Sequence, residues 1–406
     1  MRVLLGVTGG IAAYKIPALV RLLNKAGIEL EIVLTDAAAK FVSPLVLAAL
    51  NHKRVWRDAD LLDDNSGFNI PHIKLADWAD VVVIAPCSAN TIAKLAHGQA
   101  DNLLSSSVLA CGLEDKPVLI FPAMNVNMLL NQATQDNLKI LHKRGAWIIE
   151  PESGELACGV TGKGRMPEPD EIFEEILKAG VEDHDLYGEH VLVTAGPTRE
   201  FLDPARFISN PSTGKMGVAA ARTAWRRGAS VKLILGPAEL PDNYSLYGFE
   251  VIKVTSAQDM LNAVINNLDW ARFIIKAAAV GDYKAKEFKN LKIKREHQDN
   301  ISIELEKNPD IAAEVGIRKN NSQILVGFAA ETDNLINNAK LKLERKNLDY
   351  IMANDILGDN SGFCSDMNTV HLLNRNGEDI ILSGTKFEVA DKMWDVIVSE
   401  KLKKNL

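Results

Sequence analysis

Cysteine is scarce in this chain. Four stand in 406 residues (Cys87, Cys111, Cys158 and Cys364), with no CxxC pair and no Cys/His cluster at zinc spacing. That argues against a disulfide framework or a zinc site, and reduced thiols in a cytoplasmic protein are expected. Aromatic residues make up only 6% of the chain. No apolar run approaches the ~20 residues of a membrane span. The short run after Arg2 breaks at Gly9 and Gly10, so no secretory leader is expected either. Positive charge is also in deficit. Lys and Arg number 46 against 53 Asp and Glu, a net charge of −7, which argues against general nucleic-acid binding. Tandem repeats and low-complexity tracts are missing.

What is present is a 47% hydrophobic chain, long enough for two or three domains with ordinary cores. Two stretches share one construction: RVLLGVTGGIAAYK at 2–15, and HVLVTAGPTRE at 190–200, followed by SNPSTGKMG at 209–217. Each is an apolar run, a Gly-rich turn and a helix-like segment. Gly27 and Gly228 stand where helix C-caps are expected, with a strand after each. A chain that opens a nucleotide-binding unit twice reads as two enzymes, or as one enzyme with two nucleotide pockets.

Strands are predicted at 3–7, 30–34, 81–85, 118–121 and 147–150, and again at 191–194, 231–235, 273–277, 324–328 and 350–353. Continuous apolar runs such as VVVIA and PVLIF suit parallel strands covered on both faces. The expected fold class is α/β, with two Rossmann-like doubly wound domains over 1–183 and 190–406. The segment at 369–382 reads as a β-hairpin around Asn376-Gly377, and a last helix is expected from about Lys386. The polar segment 180–189 is the expected linker.

In the first half, Gly9, Gly10, Ile11 and Ala12 offer small residues and free backbone N–H groups at a helix N-terminus, which suits a phosphate. The third glycine of a dinucleotide fingerprint is absent. Asp36 reads as a ribose acceptor or, more readily, as the cap of the next helix. The stretch 85–106 starts at a strand end and carries Ser88, Asn90, Thr91, Asp101, Asn102 and Ser105. So many polar side chains suit a heteroaromatic ring with a sugar-phosphate tail. FPAMN brings Asn125 to another strand end, and such ends converge on one crevice. His72 is a lone histidine, structural or catalytic. Cys158 sits in the Gly-rich segment PESGELACGVTGKGRMPEP, which reads as a flap. Its thiol is either a proton donor or passive, whereas Cys87 and Cys111 read as passive.

In the second half, SNPSTGKMG is not a Walker A loop, and no acidic residue ends the second strand for an NAD ribose. AAAVGDYKAKEFKNLKIKR at 277–295 sets one carboxylate, Asp282, among Lys292, Lys294 and Arg295. That suits a nucleoside triphosphate with Mg²⁺, although charge alone favours a solvated basic loop. KNPDI at 307–311 and VGFAAET at 326–332 add turns, and Lys342 and Lys346 share one helix face.

HIKLADWAD, PAMN and ACGVTGKGRM, in that order behind VTGGIAAYK, resemble the FMN-dependent cysteine decarboxylases. With the second-half motifs, the whole chain resembles the bacterial bifunctional phosphopantothenoylcysteine decarboxylase/phosphopantothenate–cysteine ligase family of coenzyme A biosynthesis. The resemblance implies a flavodoxin-like flavoprotein domain followed by a ligase domain with the added hairpin. It implies FMN on Gly9, Gly10, Ile11, Ala12, Thr35, Ser88, Asn90, Thr91, Asp101 and Ser105. The flavin would oxidise the substrate thiol so that CO2 leaves, then return the electrons to give 4′-phosphopantetheine. His72 would assist, Asn125 would bind the substrate carboxylate, and Cys158 would donate the final proton.

For the ligase half the resemblance implies CTP on Ala277, Ala278, Asp282, Lys292, Asn308, Pro309, Asp310, Ile311, Phe328, Lys342 and Lys346, with Mg²⁺ (or Mn²⁺) on Asp282. Asn210 would turn over an acyl-cytidylate and Lys292 would stabilise charge. The substrates would be 4′-phosphopantothenate, L-cysteine and CTP. Three-fold contacts in one half and two-fold contacts in the other would close a homo-oligomer, a dodecamer or a dimer-of-trimers type assembly. Departures from the family pattern are Val160, Thr213 and Arg295. Two other readings are a two-domain NAD(P) oxidoreductase and a non-catalytic regulatory flavoprotein; retention of both His72 and Cys158 speaks against the latter.

Overall fold

The computed structural model describes residues 1–62, 70–155, 159, 161–294, 302–331, 334–355 and 365–404. The chain divides into two compact units, Met1–Glu182 and Asp183–Leu406. The first holds a six-stranded, wholly parallel sheet made of β1 (Arg2–Val7), β2 (Glu29–Leu34), β3 (Val55–Arg57), β4 (Val81–Cys87), β5 (Val118–Pro122) and β6 (Trp147–Ile148). Its order is β3-β2-β1-β4-β5-β6. Without the short edge strand β3, the other five have the flavodoxin order.

The apolar runs explain the two-sided covering. Along β1, Val3, Leu5 and Val7 join one apolar cluster with Ile16, Leu19 and Ile176, while Leu4 joins the opposite one with Ile92 and Leu104. Alternate residues thus bury in opposite layers, each fully covered side chain contributing about 1.5–3 kcal/mol. Beyond the sheet, β7 (Glu152–Glu155) and β8 (Thr161–Arg165) form an antiparallel ribbon from the segment read as a flap.

The second unit repeats the scheme. β9 (His190–Ala195) sits centrally, followed in sequence by a ribbon of β10 (Arg199–Asp203) and β11 (Arg206–Ser209). Then come β12 (Ser230–Leu235), β13 (Glu250–Lys253), β14 (Phe273–Lys276), a second ribbon of β15 (Tyr283–Ala285) and β16 (Leu305–Lys307), β17 (Ile324–Glu331), β18 (Tyr350–Asp355), β19 (Met367–Asn374) and β20 (Asp379–Thr385). The main sheet runs β13-β12-β9-β14-β17-β18-β19-β20, parallel up to β18 and antiparallel after it. The expected hairpin is β19–β20, turning at Gly377 with φ +85°. The expected last helix is Lys386–Lys404.

The segment read as a linker needs correction. Leu186 is fully buried in the second unit's core, its N–H donates to Arg227 O at 3.1 Å, and Asp185 pairs with Arg227 at 2.5 Å. The polar residues around Leu186 concealed it, and one of them, Asp185, is itself an anchor. Among the described residues, no helix is long and apolar enough to cross a membrane.

Candidate functional site

In both sheets the order reverses between the first strand and the fourth, the point at which open α/β sheets bind their ligands. In the first unit that point lies between β1 and β4. Thr8 Oγ1 donates to Pro86 O at 2.7 Å and accepts from Ser88 N at 2.9 Å, tying the two strand ends together. Gly9 has no room for a side chain, since a Cβ built on it would lie 2.6 Å from Ala37 Cβ. After Gly10 the chain forms a 3-10 turn, Ile11–Lys15, before the helix Ile16–Lys25. The expected α-helical N-terminus is therefore a tighter turn, with Ile11 58% exposed.

Several polar side chains of 85–106 carry local structural roles. Ser88 accepts from Thr91 N at 3.3 Å and caps the helix Ala89–His97. Ser105 and Asn102 form a capping box on Leu103–Cys111, with Ser105 N 2.8 Å from Asn102 Oδ1. Asp101 pairs with Lys94 at 2.7 Å, which holds its carboxyl below the usual range, while Asn90 is exposed. Thr35 accepts from Ala38 N at 3.2 Å. Asp36 does not cap the 3-10 turn Ala38–Lys40 that follows: it pairs with Arg57 at 2.8 Å, and the N-cap position is Ala37.

His72 lies on the helix Pro71–Trp78, half-buried, and its Nδ1 is buried with no hydrogen-bond partner among the described residues. Asn125 is the N-cap of the helix Val126–Leu130 and accepts from Asn127 N at 2.8 Å. The ribbon roots beside it: Met124 N donates to Gly164 O at 3.1 Å, and a Cβ built on Gly162 would meet Val126 Cγ2 at 2.7 Å. Lys15, at the end of the glycine turn, donates to Met166 O at 2.8 Å and pairs with Glu168 at 3.0 Å. Cys158, Val160 and Cys364 lie outside the described residues. Cys87 and Cys111 are buried, and burial pushes both thiols up, away from thiolate chemistry.

In the second unit the crevice between β9 and β14 opens into a cavity of about 570 Å³. Its rim is built by backbone links. Ala279 N donates to Gly196 O at 3.0 Å, and Gly281 N to Thr198 Oγ1 at 3.0 Å. Gly196 and Gly214 both adopt positive φ, +78° and +76°, and pack so closely that a Cβ on Gly214 would stand 3.2 Å from Gly196 N. Asn210 Nδ2 donates to Ala279 O at 3.3 Å and Val280 O at 3.2 Å, and Asn308 Nδ2 donates to Gly281 O at 2.8 Å. Asp310 caps the helix Ile311–Arg318 and pairs with Lys346 at 3.0 Å. Burial opposes its charge, but Lys346 and the helix N–H groups outweigh that and hold its carboxyl low.

Eleven of the residues expected for a nucleotide or an acyl intermediate line this one cavity: Asn210, Ala277, Ala278, Asp282, the run Asn308, Pro309, Asp310 and Ile311, and Phe328, Lys342 and Lys346. Lys292 does not line it. It is exposed, on a loop anchored where Ile293 N donates to Asp203 Oδ2 at 3.0 Å. The buried Asp203 carboxyl also accepts from Ala205 and Arg206, and these donors hold it at about 2.

Sequence reasoning missed Lys276, Asn354, Asn368 and Lys386, which line the same cavity. Four buried polar atoms with no partner among the described residues belong to its lining: Lys276 Nζ and the Oδ1 atoms of Asn308, Asn354 and Asn368. Buried polar groups are normally satisfied, so this concentration marks a ligand site. The one sequence signal for Lys276 was a lysine closing an otherwise apolar, buried strand.

The two units match two sequence families. A model described as "Flavoprotein" matches residues 1–179, and one described as "DNA/pantothenate metabolism flavoprotein C-terminal domain" matches residues 186–401. The "Coenzyme A biosynthesis bifunctional protein CoaBC" of Haemophilus influenzae is 46% identical over 406 residues, covering 100% of this chain and 98% of that protein. The chain belongs to the coenzyme A biosynthesis bifunctional family. The Bacillus subtilis member is 44% identical, over 92% of this chain and 91% of its own. Among solved structures, the C-terminal domain of a CoaBC protein is 39% identical, covers 54% of this chain and 100% of its own, and has a TM-score of 0.46. As a member of this bifunctional family, the chain is an enzyme with ligase and decarboxylase activities. The oxidoreductase and regulatory readings fall away. The crevice of the flavoprotein unit and the cavity of the C-terminal unit are then the two places where those activities are sought.

Proposed function

We propose that the C-terminal cavity binds CTP and 4′-phosphopantothenate and joins L-cysteine to the latter, and that the N-terminal crevice decarboxylates the product with FMN in the cytosol. The observation that carries this reading is the convergence of eleven expected residues on one cavity of about 570 Å³. A carboxylate is a poor electrophile. Its oxygen would attack the α-phosphorus of CTP, and pyrophosphate would leave with the electron pair. The cysteine amine would then attack the acyl carbon, lose a proton and expel CMP, leaving an amide. Asn210, braced on the carbonyls of Ala279 and Val280, stands at the rim where the acyl group would lie. Lys292 does not line the cavity, and its role of opposing the charge of the activated state rests on the family resemblance alone. Asp282 would share Mg²⁺ with the nucleotide phosphates, in keeping with that ion's habit of taking one or two carboxylates plus phosphate. The preference for CTP rests on the family resemblance.

In the flavoprotein unit, the Gly9–Gly10 turn and the Ser88 loop would hold the FMN phosphate and ring. The orphaned His72 Nδ1 supports the fit, as does Gly10, where nothing lies within 4 Å of a Cβ built on it. Bound there, the flavin supplies reversible two-electron oxidation of the substrate thiol. His72 would exchange a proton with that thiol, Asn125 would hold the substrate carboxylate, and Cys158 would return the last proton. A homo-oligomer is part of the proposal. Phe201, Phe207 and Ile208 leave an apolar, exposed ribbon on the ligase unit, which suits two-fold pairing.

The test is CMP release by the purified chain. Release should require CTP, 4′-phosphopantothenate and cysteine together. Asn210→Asp should slow it by on the order of tenfold or more and accumulate acyl-cytidylate, detected by mass spectrometry. Absence of CMP in the wild type, or unchanged kinetics in the variant, would overturn the reading.

A further inference from the structure

Lys276 closes β14 and is 7% exposed, yet its Nζ has no hydrogen-bond partner among the described residues. Strand alternation fixes its direction. Ile274 packs in the cluster with Met260, Val315 and Ala339, so Lys276, two residues on, faces the same layer. Its neighbours across the sheet, Thr194 on β9 and Gly327 on β17, carry no charge. From the helices packed on that side, the charges acting on it are Asp310 and Lys346, and these two already pair with each other at 3.0 Å. The rest of the cavity lining adds Asp282, Lys215, Lys307, Lys342 and Lys386, six lysines against two aspartates, with Lys215 also paired to Asp366 at 2.7 Å and Lys386 Nζ donating to Ser365 O. Even with Asp366 counted, lysines outnumber carboxylates here, and Lys276 Nζ is buried with no partner among the described residues.

We propose that Lys276 is the inner anchor for anionic oxygens of the cavity's ligand, and that it takes up a proton as those oxygens arrive. The inference rests on the reading of this cavity as the ligase site. Without ligand, burial holds the ammonium down to about 7, Asp310 opposes that only partly, and the Lys346 charge adds to it. A phosphate or carboxylate oxygen within hydrogen-bond reach favours the charged form, so the neutral amine gains one proton from solvent and no other bond changes. Either the nucleoside triphosphate or the phosphorylated pantothenate could supply that oxygen.

Titration calorimetry of the full chain at pH 7.5 separates these outcomes. CTP and 4′-phosphopantothenate are titrated separately, each in two buffers of unlike ionisation heat. One of them should bind with uptake of roughly half a proton or more, and which one does so names the source. Lys276→Met should lose that uptake and weaken binding of the same ligand by roughly tenfold. Lys276→Arg, charged at all working pH values, should bind without uptake. Far-ultraviolet circular dichroism melting checks that both variants fold, and the arginine variant carries the test if the methionine one does not. Equal buffer dependence in wild type and variants would overturn the proposal while leaving the ligase reading intact. Absence of binding heat for either ligand in the wild type would overturn both.

Discussion

Gly316 has no side chain because Lys346 leaves no space for one. A Cβ built on it would lie 2.0 Å from Lys346 O, and Asn347 Nδ2 donates to Gly316 O at 2.6 Å. These contacts seat the helix Ile311–Arg318 against the end of Leu335–Arg345, and so set the Asp310–Lys346 pair at the cavity. With room to spare, Gly316→Ala would gain about 1 kcal/mol of helix propensity. With a backbone clash, it should lose about 1–3 kcal/mol and melt roughly 2–12 °C lower. Its ligase KM for nucleotide should rise while decarboxylation continues. A higher melting temperature with unchanged ligation would show that the contact yields. The same neighbourhood shows what a sequence can carry. Asn308 to Ile311 were legible because they are contiguous and polar at a turn. Lys276 was not, because what makes it unusual is Asp310 and Lys346 engaging each other across other elements. Likewise Ser88 and Ser105 looked like ligand groups, whereas Ser88 Oγ accepts from the helix N–H of Thr91, and Ser105 Oγ bonds the N-cap Asn102, accepting from its N and donating to its Oδ1.

At the scale of elements, the β7–β8 ribbon is held at its root by charge. Lys15 and Arg165 both pair with Glu168, and Glu171 completes the capping box by accepting from Glu168 N at 2.9 Å. Burial, with the carboxylates of Glu152 and Glu168 nearby, raises Glu171 to about 7. The folded state therefore binds a proton that the unfolded chain has released between pH ~4.5 and ~7. Stability from this group is present at low pH and falls as pH rises through that window. Glu171→Gln keeps the capping oxygen and removes the charge. At pH 8 the variant should melt above wild type; with solvent screening the gain is on the order of 1 kcal/mol, or roughly 2–4 °C. The gain should fade by pH 5. A difference that is constant with pH would refute the role given to this carboxyl. Ribbons of this kind are where sequence reading ran out. Sheet strands announce themselves by apolar runs, but β7–β8, β10–β11 and β15–β16 are short and largely polar or half-exposed, and their pairing is fixed by what they lie against.

At the scale of the molecule, each unit owns its cores. Every residue of two apolar clusters lies within Met1–Glu182, and every residue of the other two within Asp183–Leu406. The doubled strand–turn–helix construction was legible, whereas the shared break between first and fourth strands was not, since it depends on which strands become neighbours. The start of the second unit is the point of sharpest disagreement with the sequence pattern, which sets 180–189 aside as linker. Leu186 contributes a fully buried side chain, about 1.5–3 kcal/mol. Asp185 is one of three aspartates around the buried Arg227, with Asp395 at 2.7 Å and Asp391 at 3.2 Å. Burial opposes the Arg227 charge, and these carboxylates more than offset it, so its pKa is raised. A ligase fragment of residues 183–406 keeps both anchors, and one of residues 190–406 loses both. The shorter fragment should therefore melt lower, by roughly 4–12 °C for about 2–3 kcal/mol. Leu186→Ala in the longer fragment should reproduce much of that loss. Equal melting temperatures would restore the segment to the status of linker and remove Asp185 and Leu186 from the ligase fold.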